Sequence, residues 1–139
     1  MSPSHIPEIM NARAVLETES AAIKLAAERL DANFVRAVDI LDVPDGKIVV
    51  AGLGKSGHVG RKIAATFCST GSPAVFMHAA EAVHGDLGVH QSGNPTIFLS
   101  NSGSTSELLA LVPILRDRSS SFVGILGNLD GALGQKMDV

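Results

Sequence analysis

Apolar and polar residues alternate in two distinct ways along this chain. From about Ile6 to Leu41, apolar positions recur at mixed three- and four-residue steps: Ala14, Leu16, Ala21, Ala22, Leu25, Ala26, Leu30, Phe34, Ala37 and Ile40, with charges between them. That period predicts helix, broken in two at Asp31-Ala-Asn, and a packing or dimerisation role for it. After the turn signal Pro44-Asp45-Gly46 the pattern changes to short continuous apolar runs. Lys47–Ala51, Ala74–Met77, Thr96–Ser100 and Phe122–Leu126 read as strands. Gly52–Gly57 reads as a glycine loop, and Val59–Ser69, Ser104–Asp117 (with Pro113 inside it) and Gly131–Lys136 as helices. Asp138-Val139 reads as the start of a fifth strand, so the sheet is expected to continue.

Fully apolar strands alternating with helices predict a parallel sheet covered on both faces. The expected architecture is α/β, a three-layer αβα sandwich with a parallel sheet of four to five strands, preceded by N-terminal helices. The division expected is 1–42 for the helical segment and 43–139 for the α/β domain. Such sheets bind ligands at the carboxyl ends of their strands.

Composition narrows the function. Of 139 residues, 45% are hydrophobic and 18% charged, which supports a packed core. With five Phe and no Trp or Tyr, that core must be aliphatic. The net charge of −3 comes without a basic stripe, which argues against nucleic acid. No apolar run is long enough to span a membrane, and the polar start Met1–His5 does not resemble a secretion signal. The single Cys68 precludes an internal disulfide and fits a reducing cytoplasm. In its Ala-rich helix it reads as a buried small residue.

Three segments carry candidate chemistry, each after a strand. In Gly52-Leu53-Gly54-Lys55-Ser56-Gly57-His58, backbone N–H groups at a helix start can meet an anion, with Lys55 adding a cation and Ser56 a hydroxyl. The spacing also satisfies the dinucleotide pattern G-x-G-x-x-G. That pattern wants an acidic residue after the next strand, where His78 stands, with Glu81 slightly late. A Walker A loop fails because position 49 is Val. A tight turn with an exposed Lys is the plainest alternative. Further along the same helix, His58 and Arg61 read as a solvated helix start or a subunit contact.

Ser100–Glu107 places five hydroxyls in seven residues (100–106), enough to surround a phosphate with Ser100, Ser102, Ser104 and Thr105. Ser104-x-x-Glu107 reads as a capping box, which accounts for Ser104 and Glu107 but leaves Ser100 and Ser102 unexplained. In Met77–Asp86, His78, Glu81, His84 and Asp86 crowd together. The two His are six apart, not the four of a helical zinc pair, so acid–base work or sugar-hydroxyl contact suits them better than a metal. His5 and His90 carry no argument.

Together, Gly52-Leu-Gly-Lys-Ser-Gly-His-Val-Gly-Arg-Lys-Ile-Ala-Ala-Thr, His84-Gly-Asp-Leu-Gly and Leu99-Ser-Asn-Ser-Gly-Ser-Thr-Ser-Glu-Leu-Leu strongly resemble the sugar isomerase domain of D-arabinose-5-phosphate isomerases. The resemblance runs from about residue 14 to the end. It implies interconversion of D-ribulose 5-phosphate and D-arabinose 5-phosphate through an enediolate, for Kdo and lipopolysaccharide synthesis. It implies a cytoplasmic homo-oligomer, dimer or tetramer, with sites at subunit interfaces. It also implies no required cofactor, with zinc an inhibitory ligand at His78. Carried over by motif, Lys55, Glu107 and His84 are catalytic. Gly54, Ser56, Gly71, Ser72, His78, His84, Ser100, Ser102, Ser104 and Thr105 bind substrate. The family's further glutamate and histidine motifs, and its C-terminal pair of cystathionine-synthase-type domains, would fall beyond Val139. A non-catalytic sugar-phosphate-binding or regulatory domain is the alternative.

Overall fold

A computed structural model describes residues 6–139, so the polar start at Met1–His5 lies outside the described residues. The chain divides into two compact units at Val35/Arg36. In the first, α1 (Pro7–Glu28) begins with Pro at its first turn and buries none of its residues. Ile9, Leu16, Ile23 and Leu30 are all exposed, Ile23 by 72%. They recur every seven residues, a period that keeps the first three close to one line along α1, with Leu30 just past its end. Arg29–Asp31 separates α1 from α2 (Ala32–Leu41), as the break at Asp31 predicts.

The second unit is built on four strands: β1 (Ile48–Gly52), β2 (Ala74–His78), β3 (Thr96–Ser100) and β4 (Phe122–Leu126). All pair in parallel, in the order β2-β1-β3-β4. Side chains alternate across the sheet. Ile48, Val50, Ile97, Leu99 and Val123 face one layer, where Ala64, Ile63 and Phe67 of α3 (Gly54–Ser69) and Ala37, Ile40 and Leu41 of α2 pack on them. Val49, Ala51, Phe98 and Phe122 face the other, against α4 (Ala79–Ala82) and α5 (Ser106–Asp117). In α5 the buried residues are Leu108, Leu111, Val112 and Leu115, one stripe at helical spacing, and Pro113 faces solvent without ending the helix. The three-layer α/β sandwich expected from the sequence is what forms.

Five local expectations need correction. α3 starts at Gly54, five residues before Val59, so most of the supposed glycine loop is helix. Close packing is the reason. A Cβ on Gly60 would lie 3.0 Å from the Phe76 ring, and one on Gly52 3.3 Å from the backbone of Ser56 and Gly57. The Ser104–Glu107 capping box does not form. Thr105 is the cap residue, and the Glu107 carboxylate accepts instead from Ser106 Oγ at 2.8 Å. Cys68 is exposed, its thiol directed at the Ala74 carbonyl, 3.2 Å away. Of Gly131–Lys136 only Gly134–Lys136 is helical, as a 3-10 turn, and Asp138-Val139 forms no fifth strand. Instead Asp138 N–H donates to Phe122 O at 3.0 Å, while its carboxylate accepts from Phe122 N–H at 2.7 Å and pairs with Arg116.

Candidate functional site at the carboxyl edge

Strand order fixes where a ligand can enter. From β1 the chain crosses by α3 to β2 on one side, while β3 lies on the other side, so the direction of winding reverses between β1 and β3. Helices α3 and α5 then start on opposite faces of the sheet at adjacent strand ends, and a crevice opens between them. Register places Gly52 beside His78 and Ser100 beside Leu126. At about 4.8 Å per strand, His78 and Ser100 stand roughly 10 Å apart with Gly52 between them.

Both helices open onto this edge without side-chain caps. In α3 the first intrahelical bond runs from Gly57 N–H to Leu53 O, 3.0 Å. The N–H groups of Gly54, Lys55 and Ser56 have no acceptor among the described residues. In α5 the corresponding first bond is Leu109 N–H to Thr105 O, also 3.0 Å, which leaves the N–H groups of Ser106 and Leu108 open. Uncapped N–H groups with the aligned peptide dipoles behind them favour an anion. Lys55, exposed in the first turn of α3, adds the formal positive charge and makes no ion pair among the described residues. A phosphate group is the anion whose several oxygens match many donors and one cation.

The hydroxyl loop divides its labour differently from the sequence reading. Ser100 is buried, and its Oγ meets Thr105 Oγ1 at 2.8 Å and accepts from Gly103 N–H at 3.1 Å. Ser102 Oγ accepts from Ser104 N–H at 3.2 Å. The hydroxyls of Ser100 and Ser102 therefore hold the loop closed, and Ser104 and the first turn of α5 are left facing solvent. Gly103 lies at φ +65°, where an added Cβ would collide with the Asn128 carbonyl, so the loop is braced against the turn after β4. Glu107 is exposed in that first turn of α5. Its own N–H and the Ser106 hydroxyl hold its carboxyl below the usual range, so it is anionic at neutral pH.

His78 ends β2 at the same edge, half-buried, with Nδ1 shielded from solvent and without a hydrogen-bond partner. His84 is exposed in the turn that closes α4, six residues after β2 ends. Arg61, placed at a solvated helix start or subunit contact by the sequence reading, stacks on the Phe76 ring at 4.4 Å. Zinc does not fit this chain alone: no group of three His, Cys, Asp or Glu stands together among the described residues, and His78 offers one donor.

Gly54, Lys55, Ser56, His78, Ser100, Ser102, Ser104, Thr105 and Glu107 thus share one edge. Gly71 and Ser72 do not join them. They follow the end of α3, with Gly71 at φ +98° and Ser72 N–H bonded to Phe67 O at 2.9 Å, and lead into the amino end of β2. The length of that strand, roughly 15–20 Å, separates them from the site within one chain. The polar cluster of His90, Asn94, Arg118 and Ser120 escapes sequence reading altogether, because buried polar positions between apolar runs carry no periodic signal.

Comparison with known proteins supports the fold. The SIS domain family model matches residues 43–139. Arabinose 5-phosphate isomerase GutQ of Salmonella typhimurium is 45% identical over 128 residues, covering 91% of this chain and 40% of that protein. Arabinose 5-phosphate isomerase KdsD of Pseudomonas aeruginosa is 40% identical over 131 residues, covering 94% of this chain and 40% of that protein. The chain therefore spans about two fifths of the length of these curated relatives. Among solved structures, E. coli CFT073 c3406 in complex with arabinose 5-phosphate superposes with a TM-score of 0.90 at 34% identity, over 100% of this chain and 73% of that one.

Proposed function

The chain belongs to the SIS domain family, and from that premise we propose that its carboxyl edge binds a five-carbon sugar phosphate and supplies part of an aldose–ketose isomerase site. The observation that carries this reading is the pair of uncapped helix starts flanking the β1/β3 reversal, with Lys55 in the first turn of α3. The relatives named for arabinose 5-phosphate isomerisation, and the structural neighbour holding arabinose 5-phosphate, support D-arabinose 5-phosphate and D-ribulose 5-phosphate as the pair interconverted. The product would feed Kdo and lipopolysaccharide synthesis in the cytoplasm.

The reaction moves one proton between C1 and C2 of the open-chain sugar. A base removes the C1 proton of the ketose, and the electron pair forms the enediolate as the C2 carbonyl becomes an oxyanion. Return of the proton to C2, with the O1 proton passing to O2, gives the aldose. Among this chain's residues, ionised Glu107 can accept or orient a proton. Lys55 and the open N–H groups of α3 can stabilise the oxyanion or hold the phosphate, while His84 meets sugar hydroxyls. His78, at the end of β2, would touch substrate. Zinc enters the reading only as an inhibitory ligand, which would need donors beyond His78.

A second copy of the chain belongs to this reading. The exposed seven-residue stripe on α1 is the natural place for it. If Gly71 and Ser72 touch substrate, they do so from another copy.

Calorimetric titration with D-arabinose 5-phosphate, beside an NMR assay for its conversion, tests the reading. Binding to the wild-type chain is expected, weakened at least about fivefold by Lys55→Ala, as loss of a charge-assisted contact of ~1 kcal/mol requires. No binding to the wild-type chain, or unchanged affinity in the variant, would return Lys55 to an ordinary exposed helix residue.

A further inference from the structure

The turn carrying His84 leads into a segment with its own backbone hinges. Gly85 (φ +133°) and Gly93 (φ +81°) bracket it, and between them lies the 3-10 turn Asp86–Val89. Its local hydrogen bonds stay within four residues: His84 N–H to Glu81 O, Gly88 N–H to Gly85 O, His90 N–H to Leu87 O, and His90 Nε2 with Asn94 O. Among the described residues, every hydrogen bond from residues 83–93 to a distant part of the chain goes to one residue, Arg118. Its Nη1 donates to Leu87 O at 2.7 Å and to His90 O at 3.0 Å. Its own carbonyl accepts from Gly93 N–H at 2.8 Å and from Ser92 Oγ at 3.3 Å. Arg118 caps the end of α5, so it ties this segment to the helix whose first turn carries Glu107.

Carbonyls at the end of a 3-10 turn have no continuing helix to satisfy them, and a cation that bridges two of them makes charge-assisted bonds. Leu87 is three residues beyond His84. Freeing its carbonyl would therefore let the chain pivot at Gly85, and the turn that holds His84 would lose its anchor on that side. We propose that Arg118 is a positioning residue for His84: it touches no ligand itself and sets the placement of the histidine through the Leu87 and His90 carbonyls. This inference rests on the sugar-phosphate reading of the carboxyl edge for what His84 contacts, but not for the tie itself.

The test compares wild type, Arg118→Ala, Arg118→Lys, His84→Ala and the Arg118→Ala/His84→Ala double variant. Affinity for D-arabinose 5-phosphate and backbone amide exchange are measured for each. Arg118→Ala is expected to weaken binding about fivefold, and to speed exchange in residues 84–90 about tenfold while the sheet is unchanged. Arg118→Lys should recover most of both, because a single ammonium can donate to both carbonyls as Nη1 does. In the His84→Ala background, removing Arg118 should weaken binding less than about twofold further. Additive losses in the double variant, or unchanged exchange in residues 84–90, would overturn the inference. Loss of protection across the whole sheet in both Arg118 variants would do so too, by making the role a general structural one. A wild-type chain that binds no sugar phosphate would refute the functional reading instead, and the exchange comparison would still decide whether Arg118 holds the segment.

Discussion

His90 shows how a residue with no sequence argument acquires a physical one. It is 3% exposed, and its Nε2 pairs with the Asn94 carbonyl at 3.1 Å. Burial, reinforced by the nearby charges of Arg118 and Lys47, holds its pKa below the usual value. The ring is therefore neutral in the folded chain, while the unfolded chain takes up a proton near pH 6.5. Stability is then flat at higher pH and falls as the pH drops through about 6.5, until the folded imidazole also charges, with a slope of up to about 1.4 kcal/mol per pH unit. Thermal melts between about pH 7.5 and 5.5 should show this fall, and His90→Gln should flatten it. Equal pH dependence in the two proteins would assign the effect elsewhere. At this scale the sequence discloses which residue types are available but not their employment. Ser100 and Ser102 look free for a ligand and are spent closing their own loop, whereas Ser104 and Glu107 look like a cap and are left open.

Among the elements, the strands were the most legible. Thr96–Ser100 and Phe122–Leu126 have the bounds their apolar runs predict; the first is buried throughout and so must be apolar along its length, while the second is an edge strand whose burial lapses after Val123. The start of α3 was not legible, since glycine reads as loop wherever its packing partner is distant in sequence. Phe76 is that partner for Gly60. Gly60→Ala weighs the two effects against each other. Helix propensity favours alanine by about 1 kcal/mol. A Cβ at 3.0–3.1 Å from the Phe76 ring and 3.3 Å from Val50 overpacks the interface, at about 1–3 kcal/mol. The ring is also held by Arg61 on its other contact, which limits its retreat. Net destabilisation of about 1 kcal/mol is expected, read as a lower denaturant midpoint at unchanged slope. A stabilised variant would show that the ring yields freely.

For the whole molecule, the feature that orders the rest is the exposed stripe of Ile9, Leu16 and Ile23 on α1. Amphipathic spacing in the sequence identified helix there, but burial depends on what lies opposite, and no residue of α1 is buried. Sedimentation velocity should find a dimer or larger assembly at micromolar concentration, and Leu16→Glu with Ile23→Glu should shift it to monomer. A monomeric wild type would remove the second copy from the functional reading. The ligand edge has a consequence of a different kind. Two helices start there without a side-chain cap bond, α3 behind Leu53 and α5 behind a Thr105 whose hydroxyl is turned to Ser100, so the chain forgoes about 1 kcal/mol at each. Placing Asp at Leu53 would recover that stability and set a fixed negative charge where a phosphate belongs. The protein is thus most stable with its site self-filled and most useful with it vacant, and selection for robustness alone would close the crevice.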